Sequence, residues 1–209
     1  MTRRPRIVVV DLAMGNLRSV AKALEKLGGA VTVTARPGAM RRADAVVLPG
    51  DGAFAAAMVR MRRDGWIARI QGWVKERRPL LGVCLGLQVL FEESEEFGRH
   101  RGLGCFAGKI VPFSRKLTVP HMGWNRLIPT RTSWLTAGLP PRPYVYFVHS
   151  FYPKPDDRRL TAAVTDYGGR ICAAIEAGPV AAMQFHPEKS QRPGLRLLRN
   201  FMASVRRTT

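Results

Sequence analysis

The segment Pro79-Leu80-Leu81-Gly82-Val83-Cys84-Leu85-Gly86-Leu87-Gln88 runs from apolar residues straight into a glycine-flanked cysteine. Pro79 to Val83 has the length and apolar character of a buried strand. Leu85 to Phe91 is spaced as a helix. Between them, Gly82-Val83-Cys84-Leu85-Gly86 is the cysteine form of the G-x-S-x-G nucleophile elbow. The glycines permit a sharp strand-to-helix turn that lifts the nucleophile to its tip. A thiol there lies at a helix N-terminus, where unpaired amides and the dipole favour thiolate, and a nearby protonated histidine favours it further. The Leu85 amide is expected to face the same point and stabilise an oxyanion. An isolated cysteine is usually a small apolar core residue. Cys105 and Cys172 are read that way; the setting of Cys84 favours chemistry.

Working outward toward the N-terminus, Ile7 to Val10 is a short β-branched run that reads as a buried parallel strand. Asn16 to Leu27 follows as a helix, with Leu17, Val20, Ala21, Leu24 and Leu27 on one face and Gly28-Gly29 as its stop. Val31 to Thr34 and Ala45 to Leu48 are further strands, and Pro49-Gly50-Asp51-Gly52 is a sharp turn. Helical spacing runs from Phe54 to Arg77 with a break near Gly65. Strands alternating with helices predict an open, mostly parallel α/β sheet. Beyond Lys109 the pattern changes to short strands at Val145 to His149, Thr161 to Val164, Ala173 to Glu176 and Val180 to Phe185. A helix is expected from Gly194 to Val205. With no repeat and no low-complexity linker, residues 1–209 read as one domain.

With 46% hydrophobic and 23% charged residues, the chain has enough apolar material for a full core and is not a disordered polyelectrolyte. The basic start, Met1 to Arg6, precedes an apolar run too short for a signal peptide, and no run is long enough to span a bilayer. The expectation is therefore a cytoplasmic protein without membrane association. Three cysteines, an odd number without close pairing, are a poor disulfide framework. No CxxC, HExxH or clustered Cys/His spacing signals a metal. The net charge of +19 admits an acidic partner, but it is dispersed, dominated by arginine, and not interleaved with aromatics. It therefore reads as compositional bias, not as a nucleic-acid site.

A base for Cys84 is found in Ala181-Ala182-Met183-Gln184-Phe185-His186-Pro187-Glu188, an apolar strand that ends in His-Pro-Glu. Residues two apart in extended chain share a side, so His186 and Glu188 are expected to enter one crevice. The carboxylate would fix the imidazole tautomer and stabilise its cation. His-x-Glu alone is weak; beside the elbow it is strong. His100, read as part of a polar surface loop, is a poorer base, and His121 and His149 are the other competitors.

These blocks resemble the class I, triad-type glutamine amidotransferases. Within that class, Met14-Gly15-Asn16-Leu17-Arg18-Ser19-Val20, Leu48-Pro49-Gly50-Asp51-Gly52-Ala53-Phe54, His121-Met122-Gly123-Trp124-Asn125 and Tyr146-Phe147-Val148-His149-Ser150 look like the glutaminase subunits of imidazole glycerol phosphate synthase. The resemblance runs from the first strand to His186-Pro187-Glu188-Lys189-Ser190, and the length fits a free-standing glutaminase. It implies a flavodoxin-like fold with extra antiparallel strands in the second half. It also implies hydrolysis of glutamine through a cysteine thioester, no cofactor, and a heterodimer with a (β/α)8-barrel cyclase that uses the ammonia in histidine biosynthesis. Carried over residue by residue, Cys84, His186 and Glu188 match the triad. Leu85 and the Gly50-Asp51-Gly52 loop match the oxyanion hole. Gln88, Glu96 and Ser150 match substrate-binding positions, and Lys189, Asn16 and Trp124 match the partner interface. Two positions depart from the family: Leu12-Ala13 replaces an aromatic and a glycine, and Asp51 replaces an apolar or neutral residue. A carboxylate beside a developing oxyanion is unfavourable unless it points to solvent or to an arginine.

Three other readings compete. A glutaminase serving another acceptor, such as that of pyridoxal phosphate synthase, is opposed by the His121-Met122-Gly123-Trp124-Asn125 block. A cysteine hydrolase or peptidase on a related sheet is opposed by the position of Gln88. A non-catalytic basic module gives no reason for Cys84, His186 and Glu188 to occur together.

If the charge is compositional, any binding to nucleic acid is non-specific and fades steeply as salt rises. Fluorescence anisotropy with labelled oligonucleotides should show weak binding at low salt and none at physiological ionic strength. A salt-resistant complex with one defined sequence would revive the binding-module reading.

Overall fold

A computed structural model describes residues 3–208; Met1 and Thr2 of the basic start lie outside the described residues. The first half alternates as the sequence implies. It contains β1 (Arg6–Val10), α1 (Leu17–Lys26), β2 (Ala30–Thr34), β3 (Ala45–Leu48), α2 (Phe54–Arg63), α3 (Trp66–Lys75), β4 (Leu80–Val83) and a short α4 (Leu85–Gln88). The second half adds β5 (Phe91–Ser94), β6 (His100–Arg101), β7 (Phe106–Pro112), β8 (His121–Arg126), β9 (Ile128–Pro129), β10 (Tyr144–His149) and β11 (Phe151–Pro155). It closes with β12 (Thr161–Asp166), β13 (Arg170–Ala177), β14 (Val180–Met183) and α5 (Gln191–Thr208).

Eight strands form the main sheet in the order β2-β1-β3-β4-β14-β13-β12-β9. The first five are parallel to their neighbours, and their order is that of a flavodoxin-like sheet. From β13 outward the pairing turns antiparallel. Strands β5, β6, β7 and β11 form a second sheet, and β8 pairs with β10 in a two-stranded ribbon.

Alternation along β1 feeds two cores. Val8 and Val10 face Phe54, Trp66 and Ile70 from α2 and α3. Ile7 and Val9 face Leu24 of α1 and Leu198, Phe201 and Met202 of α5. Each fully buried large side chain contributes roughly 1.5–3 kcal/mol, so both sheet faces are firmly covered. The Gly28 amide donates to Glu25 O at 2.9 Å and the Gly29 amide to Leu24 O at 3.0 Å, and a φ of 89° at Gly28 lets the chain leave α1.

Three expectations need correction. The helix expected from Leu85 to Phe91 stops at Gln88, and Phe91 opens β5 opposite Phe106. Leu87, Val89, Leu90 and Phe91 are all buried; a segment apolar all round carries no period, and strand pairing decided its state. His100 is half-buried in β6, paired with Ser94, not in a surface loop. The strand expected to reach Phe185 ends at Met183.

Parallel pairing places Gly82 beside Ala182 and Val83 beside Met183. The Cys84 amide then donates to Met183 O at 2.7 Å. The C-terminal ends of β3, β4 and β14 therefore lie side by side, where open α/β sheets bind ligands. The turn out of β4 is tight. Cys84 has φ 53° and ψ −110°, in the left-handed half of the map that non-glycine residues avoid. A Cβ on Gly86 would lie 1.7 Å from the Leu48 carbonyl oxygen, and one on Gly82 would lie 2.7 Å from the Gly86 oxygen.

Gly86→Ala must displace backbone, not a flexible side chain, which costs at least the 1–3 kcal/mol of ordinary overpacking. Its melting temperature should fall by about 5 °C or more, or the variant should fail to accumulate as soluble protein. A melting temperature equal to wild type would contradict this packing.

Candidate active site

The ends of β3, β4 and β14 bring the sequence-derived residues together. His186 follows β14, and its amide donates to Tyr146 O at 2.9 Å, which anchors it to β10. Pro187–Lys189 then forms a 3-10 turn. His186 and Glu188 thus meet through a turn and not along extended chain as expected. The His186 ring Nδ1 lies 2.9 Å from Glu188 Oε1, with both side chains almost fully buried. With the proton on Nδ1 donated to Glu188, Nε2 is free for the thiol. The Cys84 Sγ, a His186 ring nitrogen and an Asp51 carboxylate oxygen all lie within 4.8 Å of one another. Burial opposes a charge on His186, but the Cys84 sulfur and the Glu188 carboxylate beside it, through their proximity and negative charge, outweigh this and raise its pKa to about 10. The arrangement favours an imidazolium facing the Cys84 sulfur. It does so through side chains; α4, only four residues long, supplies little of the helix dipole that the sequence suggested.

The oxyanion donors are not both available. The Leu85 amide donates to the Gly50 carbonyl at 3.2 Å, so the loop presents an acceptor where the chemistry needs a donor. Gly52 adopts φ 101°. Asp51 is part-exposed, and among the described residues it pairs with no arginine. Its Oδ1 lies 3.4 Å from His186 Nε2, and its Oδ2 accepts from the Asn16 amide at 3.4 Å.

The glutamine amidotransferase class-I family model matches residues 8–205. This chain belongs to the class I glutamine amidotransferases. It is 50% identical over 206 residues to "Imidazole glycerol phosphate synthase subunit HisH" of Thermosynechococcus vestitus, covering 97% of this chain and 98% of that one. It is 48% identical over 202 residues to the protein of the same name from Syntrophotalea carbinolica, covering 93% and 98%. Among solved structures, a glutamine amidotransferase matches with TM-score 0.75 at 22% identity, covering 95% of this chain and 98% of that chain. PurLQS from Thermotoga maritima also matches with TM-score 0.75, at 18% identity, covering 96% and 99%. At those identities the likeness is one of fold.

As in any amidotransferase of this class, the thiol needs a substrate pocket. A cleft of about 430 Å³ opens beside Cys84 and is lined by Gln88, Glu96, Ser150 and Lys189, among others. A larger groove of about 920 Å³ crosses β7, β11 and β13 but lacks Cys84, so the smaller cleft, which has it, is the candidate. Gln88 is buried, and its Nε2 donates to Phe151 O and to Gln184 Oε1, each at 3.1 Å. Glu96 is not merely a solvated member of its acidic run. Its carboxylate accepts from the Phe54 amide and so caps α2, whose N-cap residue Ala53 has no side-chain acceptor.

Gln184 had no role from the sequence. It is fully buried, and its Nε2 lies 3.7 Å from Cys84 Sγ. A lone polar residue between Met183 and Phe185 was the available signal. Asn16 caps α1, accepting from the Ser19 amide at 3.3 Å. Trp124 is 46% exposed and so is not core. Lys189 is exposed, with Nζ 5.8 Å from the Tyr146 ring centre. Ala13 holds φ 55°, a conformation that suits the glycine the family resemblance led us to expect. The other two thiols lack such partners among the described residues: burial pushes Cys105 up to about 11 and Cys172 up to about 12, which favours their protonated form.

A second histidine pair borders the cleft. His121 Nδ1 lies 2.9 Å from His149 Nε2, His149 Nδ1 lies 2.8 Å from the Phe151 oxygen, and Asn125 Nδ2 lies 3.1 Å from His121 Nε2. The chain of bonds is satisfied with both rings neutral. Burial holds His121 at about 4; His149 is held at about 3 by burial and by the charges of His121 and His186, against the Phe151 hydrogen bond.

Both histidines take up protons near pH 6.5 when unfolded and only near pH 4 and 3 when folded. Their contribution to stability is present above pH 6.5 and is lost as pH falls. The urea midpoint should therefore drop between pH 7 and 5, where most carboxylates stay ionised, and drop less in His121→Phe than in wild type. An unchanged midpoint over that range would contradict the neutral pair.

Proposed function

We propose that this chain hydrolyses L-glutamine to glutamate and ammonia at Cys84 as the glutaminase subunit of imidazole glycerol phosphate synthase. The supporting observation is the Glu188–His186 pair at 2.9 Å behind a thiol held on a positive-φ elbow. The Cys84 thiolate attacks the carboxamide carbon. The carbonyl electrons move to oxygen, and His186 protonates the leaving nitrogen as the C–N bond breaks. Water, deprotonated by His186, then cleaves the thioester to glutamate and free thiol. Glu188 orients the ring and stabilises its cation. Gln88, Ser150 and Glu96 hold glutamine, with the free carboxylate oxygen of Glu96 suited to an ammonium group. The subunit relatives named above support a heterodimer with a cyclase that consumes the ammonia in histidine biosynthesis, in the cytoplasm. Exposed Met122, Trp124 and Lys189, with Asn16, are suited to that contact.

The Leu85–Gly50 hydrogen bond gives the reaction a gate. Turning the Gly50–Asp51 peptide would remove an acceptor and add a donor, and one oxyanion donor is worth about 10²–10³ in rate. The free subunit is then slow, and a liganded cyclase raises kcat more than it changes KM.

Cys84→Ala should abolish glutamine hydrolysis yet leave a bound cyclase able to use ammonium salts. His186→Ala should cost about 10²-fold or more in kcat, and Glu188→Gln less. Appreciable glutaminase activity in Cys84→Ala would refute the assignment, and wild-type activity in Glu188→Gln would remove Glu188 from it. A free subunit as fast as the liganded complex would refute the gate.

A further inference from the structure

Asp51 gives the nucleophile a neighbour that the hydrolytic chemistry does not require. We infer that Asp51, Cys84 and His186 form a three-ligand site for a divalent transition-metal ion such as Zn²⁺, and that occupancy of this site shuts off the thiol. The inhibitory consequence rests on the glutaminase reading above; the metal site itself does not.

The three donors are a carboxylate oxygen, a thiolate sulfur and an imidazole nitrogen, the set that Zn²⁺ takes in tetrahedral sites. They lie within 4.8 Å of one another. The Asp51 Oδ1 to His186 Nε2 separation of 3.4 Å is about the edge that two metal–ligand bonds of roughly 2.0–2.2 Å subtend at the tetrahedral angle. The His186 side chain is only 4% exposed, and its Nε2 has no hydrogen-bond partner among the described residues. At 3.4 Å Asp51 is close enough to attract that nitrogen but is not bonded to it. A metal ion between them would satisfy both.

The outer contacts also fit. Metal-bound histidines commonly donate their other ring nitrogen to a carboxylate, which fixes the tautomer and raises basicity. Glu188 does this for His186 at 2.9 Å. Its second oxygen, also buried, has no partner among the described residues. The contraction needed to bring sulfur and carboxylate to bonding distance falls on Asp51, which is 40% exposed in a loop flanked by Gly50 and Gly52. The fourth position would face the cleft and take water. Binding expels to solvent the proton carried by the Cys84–His186 pair and ties up the sulfur lone pair that would attack glutamine.

Cobalt and zinc titrations of the full chain, freed of metal, test this without glutamine. Co²⁺ should give one saturable equivalent with a sulfur-to-cobalt charge-transfer band and the intense visible bands of a tetrahedral ion. Zn²⁺ should displace it, and calorimetry should give the same stoichiometry. Cys84→Ser should lose the charge-transfer band. Asp51→Ala should bind at least about tenfold more weakly, and Glu188→Gln about 10–100-fold more weakly, with circular dichroism confirming that each is folded. Zn²⁺ should inhibit wild-type glutaminase over the concentration range in which it binds, and a chelator should restore activity. Equal affinity in Asp51→Ala and wild type, a charge-transfer band that survives in Cys84→Ser, or no saturable binding would each overturn the site. A chain that binds Co²⁺ as described but never hydrolyses glutamine, even with a cyclase, would overturn the glutaminase reading and leave the site standing.

Discussion

The close approach of Gly86 to the Leu48 carbonyl is the constraint on which the rest of the site hangs. A Cβ there would fall 1.7 Å from that oxygen, so the chain leaving β4 lies directly against the chain leaving β3. This contact sets the elbow. It carries Cys84 into φ 53°, a conformation costing of order 1–3 kcal/mol. The strands around it hold it there: β3 and β4 are buried along their whole length, and β14 fixes the Cys84 amide through Met183. Because the loop after β3 is pressed against the elbow, the Gly50 carbonyl reaches the Leu85 amide. One contact therefore both raises the nucleophile and leaves its oxyanion donor occupied.

The electrostatics of the site divide between two histidine arrangements a few residues apart. His186 faces a thiol and a carboxylate, and these overcome the penalty of burial and hold it charged. His121 and His149 face each other, an amide and a backbone carbonyl, and burial keeps both neutral. The same side chain takes opposite charge states because of what lies across from each ring. A neutral pair next to the cleft adds no positive charge that would compete with His186 for the thiolate. Asp51 adds a further carboxylate on the opposite side of His186 from Glu188. The ring is thus flanked by two acids, one locked in the interior and one on a glycine-flanked loop. The first suits orientation, and the second can move.

The sequence by itself determined the order of elements in the first half, the elbow and the pairing of His186 with Glu188. Those signals are local: a short β-branched run, a helix stopped by two glycines, a cysteine between glycines, a histidine two residues from an acid. Each depends on backbone preferences that neighbours along the chain impose. Between Phe91 and Pro155 the same reasoning lost β5, β6, β7, β8, β9 and β11. Such short strands owe their state to partners far away in sequence, as Phe91 does to Phe106, and carry no period of their own.

Only the tertiary structure decided what distant residues do to one another. Asp51, Cys84 and His186 come from the ends of three strands, and parallel pairing of β3, β4 and β14 brings them together. Nothing local to Asp51 states that it faces a histidine. Nothing local to Leu85 states that its amide meets a carbonyl. Gln184 reaches the sulfur because a strand end aims it there, and Trp124 stays at the surface because β8 pairs with β10 in a ribbon outside the main sheet. Chain-local preferences fix the type of each element. The direction of a side chain into a shared space is set by register and close packing, which exist only once the sheet has formed.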